Sequence, residues 1–300
     1  MNSYDVIIIG GGPAGLNAAV VLGRCLRKVL LFDTGKGRNI QSHGLHNYLT
    51  RDGILPLEFR KLAQNEVKKY GVRTINDEIV YARHRAKNQF EVKDRKGNQY
   101  FARKLLIATG LRDNLPAVEG MSTFFGKSVF HCPYCDAWEV RNKKLGVYAK
   151  SKNGMPLSLS LRTWSNDITL FCDGRNYLKE QEKKLLHRLG IQVVTQKISC
   201  LEGKGTQLRR VVLTGNETKP CDALFFVNGY HQQADVLRML GCEMSSKGVA
   251  LTNRQQQTNI PGLYVAGDVA KDMHFVVVAA AEGAKAAVSI NKELQQEKLF

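Results

Sequence analysis

The sequence predicts an α/β protein built from two parallel-sheet domains. Three observations carry this prediction. The short apolar runs are rich in β-branched residues and do not alternate, as expected for strands buried on both faces of a parallel sheet. These runs lead through turns into helical stretches, and the strand-first order recurs in both halves. At 300 residues the chain is also too long for a comfortable single core and suits two domains of ordinary size.

Tyr4 to Ile9 reads as the first buried strand. Gly10-Gly-Gly-Pro-Ala-Gly15 follows, Leu16 to Arg24 reads as a helix of small residues, and Lys28 to Phe32 as a second buried strand ending at Asp33. Gly10, Gly12 and Gly15 fall where a dinucleotide-binding β-α-β unit needs them. The first allows a tight turn, the second lets a pyrophosphate approach the backbone, and the third brings helix close to strand. The helix N-terminus offers unpaired N–H groups and partial positive charge to the phosphates. Asp33, eighteen residues after Gly15, is placed to accept from a ribose hydroxyl. Further on, Leu57 to Tyr70 is helical and ends at Gly71. Gln89 to Asp94 and Gln99 to Arg103 form a hairpin around Lys96-Gly97-Asn98. Lys104 to Ala108 is another buried strand, ending in Thr109-Gly110, and residues 111–120 have the composition of a linker.

Lys144 to Ala149 opens a second strand-first unit, continued by strand Ile168 to Phe171, helix Leu178 to Leu189 capped by Gly190, and strands Ile191 to Thr195 and Ala223 to Val227. Gly262-Leu-Tyr-Val-Ala-Gly-Asp268 is a strand with a glycine turn, and Phe275 to Leu294 a long helix. Both halves are therefore Rossmann-like three-layer α/β units.

Cys132-Pro-Tyr-Cys-Asp136 lies between these pieces. Two thiols two residues apart can close into a disulfide and reopen, moving two electrons. Zinc needs four ligands, and the remaining five of the seven cysteines (Cys25, Cys172, Cys200, Cys221, Cys242) are scattered singly, so the redox reading is preferred and no metal site is expected. Pro133 suits the first position of a helix, which leaves Cys132 near its N-terminus. That position and the motif itself favour a thiolate. Cys132 is then the attacking thiol toward a substrate disulfide and Cys135 the resolving one. His131 beside the motif is more simply a loop residue than a group that tunes the thiol, and His43 and His46 are given no role.

Composition narrows the class. Apolar content of 43% and charged content of 24% are those of a globular protein. No apolar run approaches the ~20 residues of a membrane span. The first strand starts near residue 4 with no secretory n- and h-regions before it, so a cytoplasmic protein is expected, where a disulfide is usually catalytic. The net charge of +17 suits an acidic partner. Nucleic acid is disfavoured, because no zinc finger, basic heptad helix or aromatic RNA-binding signature is present.

Four elements together resemble the low-molecular-weight thioredoxin reductase family of flavoproteins: Gly10 to Gly15, Leu106-Ile-Ala-Thr-Gly110, Cys132 to Asp136, and Leu263 to Asp268. The resemblance covers almost the whole chain. It implies a discontinuous FAD-binding domain, residues 1–115 and 247–300, with a nicotinamide-type domain carrying the dithiol inserted at 116–246. It implies that Gly12, Pro13, Ala14 and Asp33 hold the adenosine half of FAD, that Arg38 and Asn47 lie along the flavin side, and that Asp268 reaches the ribityl or pyrophosphate. The same resemblance brings Thr109, Gly110 and Gly267 to the cofactor and turns the last helix, at Val276 and Val277, toward the ring. Cys135 is implied to exchange electrons with the flavin, Asp136 to protonate the leaving thiolate, and the chain to form a homodimer.

One departure matters. A nicotinamide-dependent member should repeat the glycine fingerprint after Leu145 to Ala149, but the chain reads Ala149-Lys-Ser-Lys-Asn-Gly-Met-Pro156. An arginine-bearing 2′-phosphate segment should follow Ile168 to Phe171, but Cys172-Asp-Gly-Arg-Asn176 stands there, and Asp173 would repel a phosphate. Loss of NADPH use is the preferred reading. Electrons would then come from an acidic ferredoxin, or from a second FAD held near Lys150 and Lys152, and pass to a thioredoxin-like protein or a small disulfide. The alternatives are an NADPH-dependent thioredoxin reductase and an oxygen-using dithiol oxidase.

Overall fold

The computed structural model describes residues 3–86, 89–233, 235–246, 248–270 and 273–297. The chain divides into two compact units, one taking Met1–Ile40, Asn47–Arg112 and His231–Phe300, the other Gln41–His46 and Asp113–Tyr230. The outward crossing at 112/113 lies three residues before the expected one. The return falls at 230/231, sixteen residues before position 247, which itself lies outside the described residues. The physical reason is burial. Val236, Leu237, Leu240 and Cys242 pack into the same core as Ile7, Ile9, Phe32 and Phe90 of the first unit. The short excursion at 41–46 has no signal in the sequence.

The first unit is organised on a seven-stranded sheet in the order Arg73–Ile75, Val29–Phe32, Ser3–Ile9, Gln99–Ile107, Gln89–Asp94, Ile79–Ala86, with Leu263–Val265 also on Gln99–Ile107. Ser3–Ile9, Val29–Phe32, Arg73–Ile75, Gln99–Ile107 and Leu263–Val265 pair in parallel, while Gln89–Asp94 runs the other way and pairs antiparallel with both Gln99–Ile107 and Ile79–Ala86. Gln99–Ile107 is one strand where the sequence suggests a hairpin arm and a separate strand. Its outer edge has two successive neighbours: residues 99–102 pair with Gln89–Asp94 and residues 105–107 with Leu263–Val265. Alternate residues of Ser3–Ile9 serve different layers. Val6 and Ile8 face the core shared with helices Pro13–Arg24 and Val276–Gln296, while Ile7 and Ile9 enter the opposite core. The two helices touch where Gly283 meets Ala14, since a Cβ at 283 would lie 2.0 Å from the Ala14 carbonyl oxygen. Lys104, fully buried, pairs with Glu293 and Glu297 and ties the end of the long helix to the sheet.

In the second unit, five parallel strands run in the order Ile191–Val194, Ile168–Phe171, Leu145–Ala149, Ala223–Val227, Val129–Phe130. Leu145, Val147 and Ala149 enter one core and Tyr148 the other. An antiparallel sheet of Ile198–Lys204, Gln207–Leu213 and Thr218–Pro220 adds to this unit and is not foreseen from the sequence. Among the described residues, no helix is long and apolar enough to cross a membrane.

Candidate active site

In the first unit, Gly12 is the N-cap of the helix Pro13–Arg24, with Pro13 at its first position and no side chain capping it. The first N–H groups of such a helix find no partner within it. Each glycine of the turn meets a different constraint. A Cβ at Gly10 would lie 2.2 Å from the Ala108 oxygen, and one at Gly15 1.8 Å from the Gly10 oxygen. A Cβ at Gly12 would meet nothing within 4 Å, so the space beside it is open to a ligand. At Gly11 a Cβ would fall 2.3 Å from the Asp33 carboxyl carbon, which places that acid directly against the turn. Asp33 accepts from the Gly35 N–H at 3.0 Å and is ion-paired with Arg60, a residue no motif points to.

The other expected cofactor residues lie in the same unit. Arg38 and Asp268 form an ion pair at 3.0 Å. Gly267, at φ 85°, donates its N–H to the buried Glu282 at 2.8 Å. A lone acid in an otherwise small-residue stretch of the last helix is the signal that could have marked Glu282. Asn47 is exposed and left-handed, φ 64°, and its N–H donates to Asp52 at 2.8 Å. The Thr109 hydroxyl is buried with no hydrogen-bond partner in the protein, beside Gly110 at φ 68° with open space around it. Val276 and Val277 begin the Val276–Gln296 helix, whose N-terminus again has no side-chain cap. Two uncapped helix N-termini, an open glycine position and an orphaned hydroxyl fit a dinucleotide such as FAD.

The second unit repeats the topology with different residues. Tyr148 pairs with Phe171 as Ile9 pairs with Phe32. That register sets Ala149 at the place of Gly10, Lys150 at Gly11, Ser151 at Gly12 and Gly154 at Gly15. It also puts Cys172 where Asp33 stands: the Cys172 N–H donates to Val194 at 2.8 Å as that of Asp33 does to Ile75 at 3.0 Å. The acid comes one residue later. Asp173 is buried and accepts from the Tyr148 hydroxyl at 2.9 Å, the Ile198 N–H at 2.9 Å and the Lys150 ammonium at 2.8 Å. Burial pushes its carboxyl up, but Lys150, Ile198 and Tyr148 together outweigh that and hold it below the usual carboxylate range. The hydrogen bond to Asp173 likewise raises Lys150. The helix Gly154–Leu161 starts two residues later than its counterpart, and Tyr177 packs its hydroxyl where a Cβ of Gly154 would come within 2.5 Å.

The dithiol also belongs to this unit. Cys132 and Cys135 are joined as a disulfide with Cα atoms 5.3 Å apart, at the start of the short helix Pro133–Asp136. Cys132 is the N-cap and Pro133 holds the first helical position, as the sequence suggests. Asp136 is partly buried, and burial raises its carboxyl to about 7, with Glu139 adding to the rise and His46 opposing it. Sequence reasoning did not bring Glu139 and His46 to Asp136, since the histidine arrives from the excursion at 41–46. His131 faces the nearly buried Asp113 at 3.8 Å. Tyr134 and Trp138, 65% and 63% exposed, are the exposed aromatic residues of the described chain, the first between the two cysteines and the second three residues after Cys135.

The fold and these sites define a dinucleotide-binding protein with a redox disulfide, and comparison with known proteins narrows that class. The sequence profile of the pyridine nucleotide-disulphide oxidoreductases matches residues 4–283. A probable thioredoxin reductase of Arthroderma benhamiae is 30% identical, over 98% of this chain and 81% of its own. The crystal structure of TrxB from Bacillus anthracis, provisionally assigned as a thioredoxin reductase, is 31% identical and superposes with a TM-score of 0.94 over 98% of this chain and 99% of that one. HlmI is 33% identical, with a TM-score of 0.94 over 99% of this chain and 94% of its own. The chain belongs to the pyridine nucleotide-disulphide oxidoreductase family, as a thioredoxin reductase-like flavin-dependent disulfide reductase.

Proposed function

We propose that this enzyme moves electrons between FAD and a thioredoxin-like disulfide partner through Cys132 and Cys135, and that it does so without NADPH. One observation carries the second half of the proposal: Lys150 stands at the Gly11-equivalent position and reaches Asp173 at 2.8 Å. In the first unit that position must be bare, because any side chain there would strike Asp33. Ala149 and Ser151 in place of glycines, Cys172 in place of the ribose-binding acid and the late helix start all support the same reading. They count equally against a second FAD in this unit.

Bound FAD would exchange an electron pair with the dithiol. The chain's own part is to hold it, with Gly10, Gly12, Pro13, Ala14, Gly15 and Asp33 at the adenosine half, Arg38, Asn47, Thr109, Gly110, Gly267 and Asp268 along its length, and the helix start at Val276 and Val277 toward the ring. At the dithiol, the Cys132 thiolate attacks a partner disulfide and Cys135 then displaces the partner from Cys132. Asp136, protonated up to about pH 7, supplies the proton that the departing thiolate needs. The exposed Tyr134 and Trp138 support a protein partner, since Trp and Tyr dominate interface hot spots. The charge of +17 supports an acidic donor such as a ferredoxin. A homodimer and a cytoplasmic setting complete the proposal.

Anaerobic titration with NADPH tests it: the flavin absorbance should stay unbleached, whereas a reduced ferredoxin should bleach it. Stoichiometric bleaching by NADPH overturns the donor assignment and leaves an NADPH-dependent thioredoxin reductase. A flavin-to-protein ratio near two would replace the ferredoxin with a second FAD. Oxygen uptake driven by a small dithiol would make the enzyme an oxidase.

A further inference from the structure

The excursion at 41–46 is the one stretch before residue 113 that groups with the second unit. It is firmly seated there. Leu45 is buried, and the Gln41 backbone lies 3.0 Å from where a Cβ of Gly126 would be, with Gly126 itself at φ 72°. The seated segment brings the His46 Nε2 to 3.5 Å from the Glu139 Oε1. Glu139 is three residues beyond Asp136 and four beyond Cys135, on the turn that continues the dithiol helix. Two acids and a histidine thus gather at the disulfide from chain segments about ninety residues apart.

We infer that His46 and Glu139 are an opposed pair of positioning residues that set the pH above which Asp136 can no longer give its proton to a thiolate leaving the dithiol site. The inference rests on the role proposed above for Asp136 and assigns the two groups that control it. Glu139, a negative charge near Asp136, favours the protonated acid, and His46, when charged, favours the ionised one. The other ionisable side chain of the excursion is His43, whose imidazole burial and then Lys127 hold below its ordinary range.

The proton balance is explicit. The Cys132 thiolate attacks a disulfide R–S–S–R, forming Cys132–S–S–R and releasing RS⁻, which takes the Asp136 proton to become RSH. Cys135 loses its proton and attacks the Cys132 sulfur, forming the Cys132–Cys135 disulfide and a second RS⁻. Two protons are needed in all: one comes from Cys135, and the other is the one Cys132 gave to solvent on ionising. The chain is oxidised by two electrons and R–S–S–R is reduced to two thiols.

The test uses the reduced, desalted holoenzyme in single-turnover exchange with two probes. Glutathione disulfide releases a basic thiolate that needs a proton, and Ellman's reagent releases one that does not. With glutathione disulfide, Glu139→Gln should move the alkaline fall of the rate down by about half a pH unit and His46→Gln should move it up by a similar amount, a roughly threefold change in opposite directions above pH 7. Ellman's reagent should react with both variants as with the parent chain. Shifts of the same sign, no shifts, or equal loss with both probes would overturn the inference. Asp136→Asn separates the two ideas: if it leaves glutathione disulfide exchange unchanged, the proton-donor role itself fails. If it slows that exchange while neither neighbour shifts the profile, only the tuning fails.

Discussion

The two strand-turn-helix units of this chain share a register and differ in what fills the turn. In the first, Gly11 leaves the strand-end acid Asp33 against bare backbone, and the space beside Gly12 is open. In the second, Lys150 fills the same place and spends its charge on Asp173. A fold of this type specifies where a dinucleotide would lie, but whether one binds depends on a few atoms of side chain at the turn. The family likeness covers both units alike and does not distinguish them.

That contrast can be tested by swapping what fills the turn. The largest effect is expected at Gly12→Val, whose branched side chain enters space that the protein leaves empty, so the fold should persist while flavin affinity falls by at least about 100-fold, ~3 kcal/mol. Absorbance of the purified protein reads this directly. Ser151→Val, the same change in the second unit, should leave flavin content and dithiol exchange untouched; a loss of flavin there would mean that the second unit binds it.

Next in size is Lys150→Ala, which leaves the Asp173 carboxylate buried without its cation. Because Lys150 is itself about half exposed, a destabilisation of about 1–3 kcal/mol is expected rather than the full loss for a buried pair. The sign with pH follows from the depressed Asp173. A carboxyl held below its unfolded value contributes stability above that value and loses it as pH falls through the folded one. The deficit of the variant should therefore be full at neutral pH and close in acid below about pH 4. Urea unfolding at both pH values checks it, and a deficit independent of pH would point to lost packing instead.

The smallest effect is expected at Thr109→Val. The buried hydroxyl has no partner in the protein, so removing it should leave the flavin-free chain as stable or more stable by up to about 1 kcal/mol, while flavin affinity falls by about fivefold. Equal flavin affinity in the variant would remove Thr109 from the cofactor site.

Much of the site was legible because it is local. Cys132 to Asp136 and Gly10 to Gly15 are runs of adjacent residues whose spacing alone limits their chemistry. What could not be read joins distant residues. Arg60 reaches Asp33 across 27 positions, Glu282 reaches the Gly267 N–H across 15, and His46 meets Glu139 only because an excursion crosses to the other unit. The return to the first unit lies earlier than the sequence suggests for the same reason, since Val236 and Leu237 look like any short apolar pair until the core that receives them is known.

By itself, then, the sequence determined the class of fold, the redox pair and the loss of one glycine fingerprint, because turn geometry and thiol spacing depend on neighbouring residues. Only the tertiary structure decided that Lys150 is matched to Asp173 and that Asp136 has both an acid and a histidine beside it, because burial and charge pairing depend on atoms that only folding brings together.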